Sequence, residues 1–453
     1  MIIKKIKTHL SPFEIFRIFS DDEQPVFLDS GEDYENLGQY SIISSKPFLK
    51  LKSKNNKVFL NDEMISGEME NPLELLKAYF NKFKRNYHRE LPFIGGALGH
   101  FSYDLCHHFE ELPKSTIDDT DLYDLNIGLY NGAIIYNHET KEYFVTDAEV
   151  NPNGDVRVTE LISRIESEKM NQLSESKPFN GIDIKSNMTK DRYIESIGKI
   201  KKYIKAGDIY QVNMTQRFET KLRKSPLKLY SDLRKVNSAP FSAYLGYKDY
   251  QLLSSSPERF VKLRDGKLST RPIKGTRPRG KTKEEDDILK NELMASEKDR
   301  AELLMIVDLE RNDFSKVAKT GTVKVPELFV IEKYPTVFHL VSKVTCQLDE
   351  KYDAFDCIKN IFPGGSITGA PKIRAMEIID ELEPTQRNVY TGAIGYIDFN
   401  GDMDLSIVIR TMLLKDKTVY FQVGGGIVWD SNAEDEFQES LDKGKALVEA
   451  IKL

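Results

Sequence analysis

The chain has 453 residues, of which 40% are hydrophobic and 30% charged, and a formal net charge of −6. That length exceeds one small core and predicts two or three domains of ordinary globular composition. The acidic balance argues against a nucleic-acid binder, which would present a basic face.

From the N-terminus, residues 1–7 alternate as a strand does. No apolar run is long enough for a signal peptide or a membrane span, so the expected location is cytoplasmic. Cys106, Cys346 and Cys357 have scattered spacings and form no CxxC pair. They argue against a disulfide framework or a zinc site and suit a reducing cytosol. Residues 128–136 read as one β run. Residues 166–188, rich in Ser, Lys, Glu and Asn, read as a linker or long loop between an N-terminal region, 1–165, and a C-terminal region, 189–453. After Thr189, an N-cap, the residues Tyr193, Ile197, Ile200 and Ile204 recur at helical spacing and Gly207 suits the end. Further strands are predicted over 211–218, 243–247, 252–263, 324–330, 405–414 and 419–424. Further helices are predicted over 284–309, 371–382 and 433–451. Helices and strands do not alternate as βαβ units, so the pattern predicts an α+β fold with antiparallel sheets.

The chemistry concentrates in the C-terminal region. Lys274, in Pro272-Ile273-Lys274-Gly275-Thr276, follows Glu258 by sixteen residues. A neutral lysine amine is a nucleophile, but a free lysine is only about one part in a thousand neutral at pH ~7.4. Burial and neighbouring positive charge would change that. Read alone, Lys274 is one solvated lysine among many and Glu258 a surface carboxylate beside Arg259. Glu302 falls on a predicted helix, and Glu436 and Glu439 share one face of another; read alone, both helices are simply acidic and solvated. The glycines of Phe362-Pro363-Gly364-Gly365-Ser366-Ile367-Thr368-Gly369-Ala370-Pro371-Lys372 precede a helix and suit an anion, without the spacing of a nucleotide-binding Walker loop. Gly424-Gly425-Gly426 offers a second set of backbone donors. No cysteine lies in a Gly-x-Cys-x-Gly elbow, so glutamine is not a nitrogen source by that route.

On these motifs, and from Leu28-Asp29-Ser30 to Glu439, the chain resembles the chorismate-utilising enzymes of the anthranilate synthase component I type. Within them it resembles the aminodeoxychorismate synthase branch, which carries lysine where anthranilate synthases carry alanine. The resemblance implies two large, mostly antiparallel β-sheets packed face to face, helices outside, and a site in the cleft. It implies amination of chorismate to 4-amino-4-deoxychorismate on the route to folate. Lys274 would attack C2 while Glu258 protonates the departing C4 hydroxyl; ammonia would then attack C4 and expel the lysine. The resemblance also implies Mg²⁺ on Glu302 and Glu439, with Glu436 acting through water. It implies a chorismate pocket of Ser366, Thr368, His339, Tyr390, Arg410, Lys443 and the glycines Gly424, Gly425 and Gly426. Arg410 and Tyr390 would hold the enolpyruvyl carboxylate; the competing reading of His339 is a satisfied core histidine. A partner glutamine amidotransferase subunit would supply the ammonia.

Ser30, Leu37, Gly38, Gln39, Tyr40, Pro240, Phe241 and Ser242 correspond to the tryptophan pocket of anthranilate synthases. Here Phe27-Leu28-Asp29-Ser30 departs from the Leu-Leu-Glu-Ser of that family. A functional, a permanently occupied and an empty site stay open, as does a packed interface. The rival activities are those of anthranilate synthase component I, of salicylate or isochorismate synthases, and of a non-catalytic chorismate or tryptophan sensor.

Overall fold

The computed structural model describes residues 1–31, 37–66, 71–87, 90–167, 181–334 and 337–453. Two twelve-stranded antiparallel sheets dominate it. The first runs Ile2–Ile6, Glu142–Asp147, Ile134–Asn137, Tyr40–Ser44, Val26–Asp29, Phe241–Gly246, Tyr250–Ser256, Thr411–Lys415, Thr418–Ile427, Gln211–Lys221 and Lys185–Ser186, with Gly369–Ala370 beside Gln211–Lys221. The second runs from Ile273–Pro278 through Val337–Gln347, Lys267–Thr270, Arg259–Arg264, Met403–Ile407, Ala393–Asp398 and Gly96–Phe101 to the strands that end at Glu63–Ser66.

Successive residues on a strand point to opposite faces, and the first sheet uses both. Val26, Ile42, Leu252 and Leu413 join the core between the sheets. Their chain neighbours Phe27, Ile43, Leu253 and Met412 face outward, onto the helices Pro12–Phe19, Pro226–Val236 and Ala433–Lys452. Fully buried rings such as Phe16 and Phe27 each contribute about 1.5–3 kcal/mol by leaving water. The α+β architecture with face-to-face sheets and outer helices is therefore the one expected.

Both sheets take strands from 1–165 and from 189–453, so residues 166–188 do not separate two cores. Length predicts several cores, but two large sheets enclose one extended core between them. Of that segment, residues 168–180 lie outside the described residues; Gly154–Ser167 ends as a helix and Lys185–Ser186 pairs with Gln211–Lys221.

Three predicted strands and one predicted helix each divide in two. Residues 128–136 break at Asn131-Gly132 between Leu125–Tyr130 in the second sheet and Ile134–Asn137 in the first. Residues 252–263 break after Ser256, and 405–414 break after Ile407, again passing between sheets. The helix expected over 284–309 is two, Lys283–Ala295 and Glu297–Ser315, parted at Ser296, whose side chain caps the second by accepting from the Asp299 amide. The helix after Thr189 forms as expected, capped by that hydroxyl and ended by Gly207 in the left-handed conformation. No helix among the described residues is long and apolar enough to cross a membrane, and the three cysteines are free and buried.

Candidate active site

The two strand crossings at 257–258 and 408–410 lie against each other. The Ile407 amide donates to the Glu258 carbonyl at 3.0 Å, and the Ser255 amide donates to the Arg410 carbonyl at 3.1 Å. The Ser256 hydroxyl reaches the Ile407 carbonyl at 2.6 Å. Glu258 and Arg410 thus stand side by side where both chains leave the first sheet for the second. Arg410 has φ 51°, in the left-handed region. A non-glycine residue there stores about 1–3 kcal/mol of strain, which the surrounding strand pairing must hold.

The departure of Thr411–Lys415 also opens an edge. Its pairing to the neighbouring strand ends at Phe421, so Gly424, Gly425 and Gly426 pair only on their other side, with Thr215, Met214 and Asn213. Their free edge supplies the backbone groups expected of that glycine run. Lys443 already uses one of them, donating to the Gly424 carbonyl at 3.1 Å.

Lys274 lies on Ile273–Pro278, and its aim is set by Gly275. The pairing with Val337–Gln347 slips between Lys274 and Thr276, leaving Gly275 bulged at φ 73°. A Cβ at Gly275 would lie 2.8 Å from Leu293 Cδ1 and 2.9 Å from Asp299 Cγ. The Lys274 amine donates to the Ser366 carbonyl at 3.3 Å and forms no ion pair with any described residue. Burial lowers its pKa, against Glu302 and Glu258, which act to raise it. Glu258 is 6% exposed. Burial raises its pKa, while the Ser366 hydroxyl, Lys274 and the Ile273 amide oppose the rise. That hydroxyl lies beside the carboxyl but closes no hydrogen bond of normal geometry with a described residue, a buried polar atom left for a ligand.

The remaining expected residues surround these two. Thr368 turns its hydroxyl onto the Gly364 carbonyl at 2.9 Å and braces the turn that carries Ser366. Tyr390 is buried, and its hydroxyl is pushed up by burial. Arg410 makes no ion pair or hydrogen bond through its guanidinium among the described residues, and burial lowers its pKa. A desolvated guanidinium without a carboxylate is prepared for an anionic ligand. His339 meets the Thr276 hydroxyl at 2.9 Å through Nδ1; burial and then Arg410 hold its imidazole down to about 4, so it is neutral at pH 7.

Glu436 and Glu439 approach each other at Gly425, where a Cβ would lie 3.4 Å from Glu436 Oε2 and 3.9 Å from Glu439 Oε1. Glu302 reaches toward them from the helix Glu297–Ser315. Burial and neighbouring carboxylates raise the pKa values of Glu302 and Glu436. Burial acts to raise Glu439 as well, but its ion pair with Lys443 at 2.8 Å outweighs that and holds it low. Among the described residues no three such groups already stand as a formed metal cluster. The donor set still fits a hard divalent cation: oxygen ligands, mutual repulsion and only partial neutralisation by lysine.

Two features were not legible in the sequence. Gln211, 1% exposed, leaves both side-chain amide atoms without a hydrogen-bond partner among the described residues where it abuts Gly426. Arg387 forms a buried pair with Glu383 at 2.7 Å and also donates to the Ile367 and Asn213 carbonyls at 2.9 and 2.6 Å. It therefore locks the Ser366 turn to the strand Gln211–Lys221. A buried glutamine flanked by strand formers was the sole local hint of the first. Nothing local marks the second.

Near Arg259, which directly follows Glu258, lies a cavity of about 190 Å³ between the sheets. Ser30, Leu37, Gln39, Tyr40, Pro240, Phe241 and Ser242 line it; Gly38 is not among its lining residues. Arg259 stands 4.9 Å from the Phe241 ring and pairs with Asp404 at 2.8 Å on its wall.

Comparison with known proteins identifies the fold and the family. The chain is 40% identical to anthranilate synthase component 1 of Acetivibrio thermocellus, over 97% of this chain and 92% of that protein. It is equally 40% identical to aminodeoxychorismate synthase component 1 of Escherichia coli K12, over 94% and 93%. The crystal structure of anthranilate synthase component I from Streptococcus pneumoniae TIGR4 superposes with a TM-score of 0.82 at 32% identity, covering 90% of this chain and 92% of that one. The menaquinone-specific isochorismate synthase of Escherichia coli, at 16% identity and a TM-score of 0.74, shares the fold. The pattern described as chorismate binding enzyme extends over residues 23–449, and by that span and these relatives the chain belongs to the chorismate binding enzymes.

Proposed function

We propose that this protein aminates chorismate at C4, giving 4-amino-4-deoxychorismate for the route to folate. Identity does not choose between this activity and that of anthranilate synthase, since both kinds of relative stand at 40%. The observation that carries the choice is Lys274: an amine inside the cleft, drawn toward its neutral form, unpaired, and facing the same space as a buried acid, Glu258. An alanine there would leave no nucleophile.

The lysine amine forms a bond to C2 of chorismate as the C4–O bond breaks, and Glu258 gives its proton to the departing hydroxyl, which leaves as water. Ammonia then bonds to C4, the C2–N bond to lysine breaks, and the surplus proton returns to Glu258. Arg410, with Tyr390 beside it, holds the enolpyruvyl carboxylate. Glu302, Glu439 and Glu436 would hold Mg²⁺, which when bound neutralises the ring carboxylate.

Relatives named component 1 support a partner component, and a glutamine amidotransferase suits a chain without a glutaminase elbow. The cavity beside Tyr40 and Phe241 is read as an amino-acid pocket of the tryptophan type. Purified chain, chorismate and Mg²⁺, with ammonium or with glutamine, test the activity by product mass and ultraviolet spectrum. Ammonium alone should yield 4-amino-4-deoxychorismate. Release of anthranilate and pyruvate would move the chain to the other branch, and turnover on glutamine would remove the need for a partner.

A further inference from the structure

The N-terminal region also reaches the site, through residues that no motif marks. After the strand Gly96–Phe101 the chain turns at Ser102 into a short 3₁₀ helix, Tyr103–His108. This turn grips both backbone groups of Asn388. The Tyr103 amide donates to the Asn388 carbonyl at 2.7 Å, and the Asn388 amide donates to the Asp104 carboxyl at 2.7 Å. Asp104 and Asn388 are both buried. The fit leaves no slack: a Cβ at Gly392 would lie 2.1 Å from the Phe101 carbonyl oxygen and 3.0 Å from the Tyr103 amide nitrogen.

The gripped segment, 386–392, lies in no helix or strand, between Lys372–Leu382 and Ala393–Asp398. Asn388 and Thr391 have φ 51° and 60°, and a β-branched residue keeps that conformation only where its surroundings hold it. On its far side the segment is stitched to the crossing that carries Arg410. The Thr391 amide donates to the Val408 carbonyl at 2.7 Å, and the Val408 amide to the Gly392 carbonyl at 2.9 Å. Arg387, just before Asn388, has fixed side-chain partners in Glu383, Ile367 and Asn213. Tyr390, two residues after it, makes no hydrogen bond through its hydroxyl among the described residues. The place of that ring therefore depends on the backbone that bears it.

We propose that Asp104 is a positioning residue for substrate binding: by accepting the Asn388 amide it fixes the segment 387–391, and with it the place of Tyr390 against the crossing that bears Arg410. The role rests on the proposed seat of the enolpyruvyl carboxylate at Arg410 and Tyr390, not on which ring carbon is aminated. Of the two groups that grip Asn388, the Tyr103 amide belongs to the backbone, so the carboxyl is the one that substitution can remove. His107 Nε2 stands 3.9 Å from the other carboxyl oxygen, and burial lowers the pKa of that ring, leaving it mostly uncharged at neutral pH. Burial raises the Asp104 pKa to about 7, against the Asn388 amide. A neutral acceptor of the same shape therefore serves nearly as well, and it is loss of the acceptor, more than loss of the charge, that displaces Tyr390.

The test uses the whole chain with D104N, which keeps an acceptor in place, and D104L, which does not. In the free protein, hydrogen exchange over the peptide containing Asn388 should quicken in D104L and stay near the unaltered rate in D104N. Chorismate consumption with ammonium and Mg²⁺, whichever product forms, gives the second measurement. D104L should raise KM about tenfold, the scale of one hydrogen bond lost to the substrate carboxylate, and keep kcat within about twofold. D104N should stay within about threefold of the unaltered KM. A merely structural role would lower the melting temperature and leave KM alone. Unaltered exchange in D104L, an unaltered KM in D104L while that of R410A rises, a loss of kcat in place of KM, or equal losses in D104N and D104L each overturn the proposal. Unaltered KM in both R410A and D104L sinks the carboxylate seat and this role with it, while the exchange still reports the hold on Asn388. Should D104L not fold, D104A removes the same acceptor without added bulk and is read in its place.

Discussion

Lys274 Nζ donates to the Ser366 carbonyl at 3.3 Å, the single hydrogen bond its amine makes among the described residues. A carbonyl cannot neutralise an ammonium as a carboxylate would, so burial dominates and draws the amine toward its neutral form. The hydroxyl of the same Ser366 lies beside Glu258. One backbone turn therefore touches both groups that the proposed reaction needs uncharged at once, Lys274 as nucleophile and Glu258 as acid.

The first prediction concerns the bond Lys274 forms. Incubated with chorismate and Mg²⁺ but no ammonia, the protein should carry an adduct of chorismate less one water on the peptide containing Lys274. K274A should carry none. E258A should slow its formation by about 10²–10⁴-fold, the usual contribution of a general acid. Mass spectrometry of the quenched protein decides. No adduct, together with near-normal turnover by K274A, would leave the lysine an electrostatic role alone.

The second prediction uses stability against pH. The Lys274 pKa is lower folded than unfolded, so the folded state carries its full cost below the folded value and loses it as pH rises to the ordinary value of 10.5. Glu258 behaves oppositely: its cost is absent below the ordinary 4.5 and develops as pH rises through the raised folded value. K274M should therefore melt above the unaltered protein by a margin that narrows toward high pH. E258Q should gain a margin that widens from acid pH upward. Parallel melting curves for either variant across pH would contradict the assigned shift.

These shifts also mark what the sequence could convey. Lys274 and Glu258 were legible only through the family resemblance of the motifs that hold them, since read alone each is an ordinary surface residue. The cap at Thr189 and the end at Gly207 were legible because helix ends are local. The strand crossings were not. Leu252-Leu253 and Phe260-Val261 read as one strand, although Ser254-Ser255-Ser256-Pro257 parts them and the chain changes sheets there. Pro257 is a local sign of the break, but nothing local says that the two halves join different sheets around Glu258. The Arg387–Glu383 pair is hidden for another reason: its other partners, Asn213 and Ile367, are far away in sequence.

The third prediction concerns the cation. E302Q or E439Q should remove a ligand, weaken Mg²⁺ binding in calorimetry and abolish turnover while the melting temperature is kept. E439Q should also release Lys443, since the two now pair at 2.8 Å. Raised Mg²⁺ should restore part of the activity of one variant. Unaltered Mg²⁺ affinity in both would take these glutamates out of the site.

The fourth prediction follows from the unpaired guanidinium of Arg410. R410A should raise KM for chorismate by about tenfold or more, as loss of a charge-assisted hydrogen bond of about 1.5–3 kcal/mol implies. R410K should recover little, because an ammonium lacks the planar fork that meets a carboxylate with two bonds. Steady-state kinetics read both. An unchanged KM in R410A would place the enolpyruvyl carboxylate elsewhere.

The fifth prediction separates scaffold from chemistry. Arg387 and Glu383 are 1% and 2% exposed, and each has further partners: Thr215 donates its amide and hydroxyl to Glu383 at 3.0 and 2.6 Å, and Arg387 donates to Ile367 and Asn213. Removing one member leaves the other charge buried and unpaired, at a cost of about 3–5 kcal/mol. R387M and E383Q should therefore both lower the melting temperature strongly. Replacing both with apolar residues of similar volume should destabilise less than the two single losses added together, because no orphan charge remains. Activity should not follow the same rule. The double variant still lacks the donor that fixes the Ile367 carbonyl next to Ser366, so the turn that receives the Lys274 amine loses its anchor even where stability returns. A double variant that regains both stability and full turnover would show that the pair only fills the core, and that the Ser366 turn is held by Thr368 and Lys372 alone.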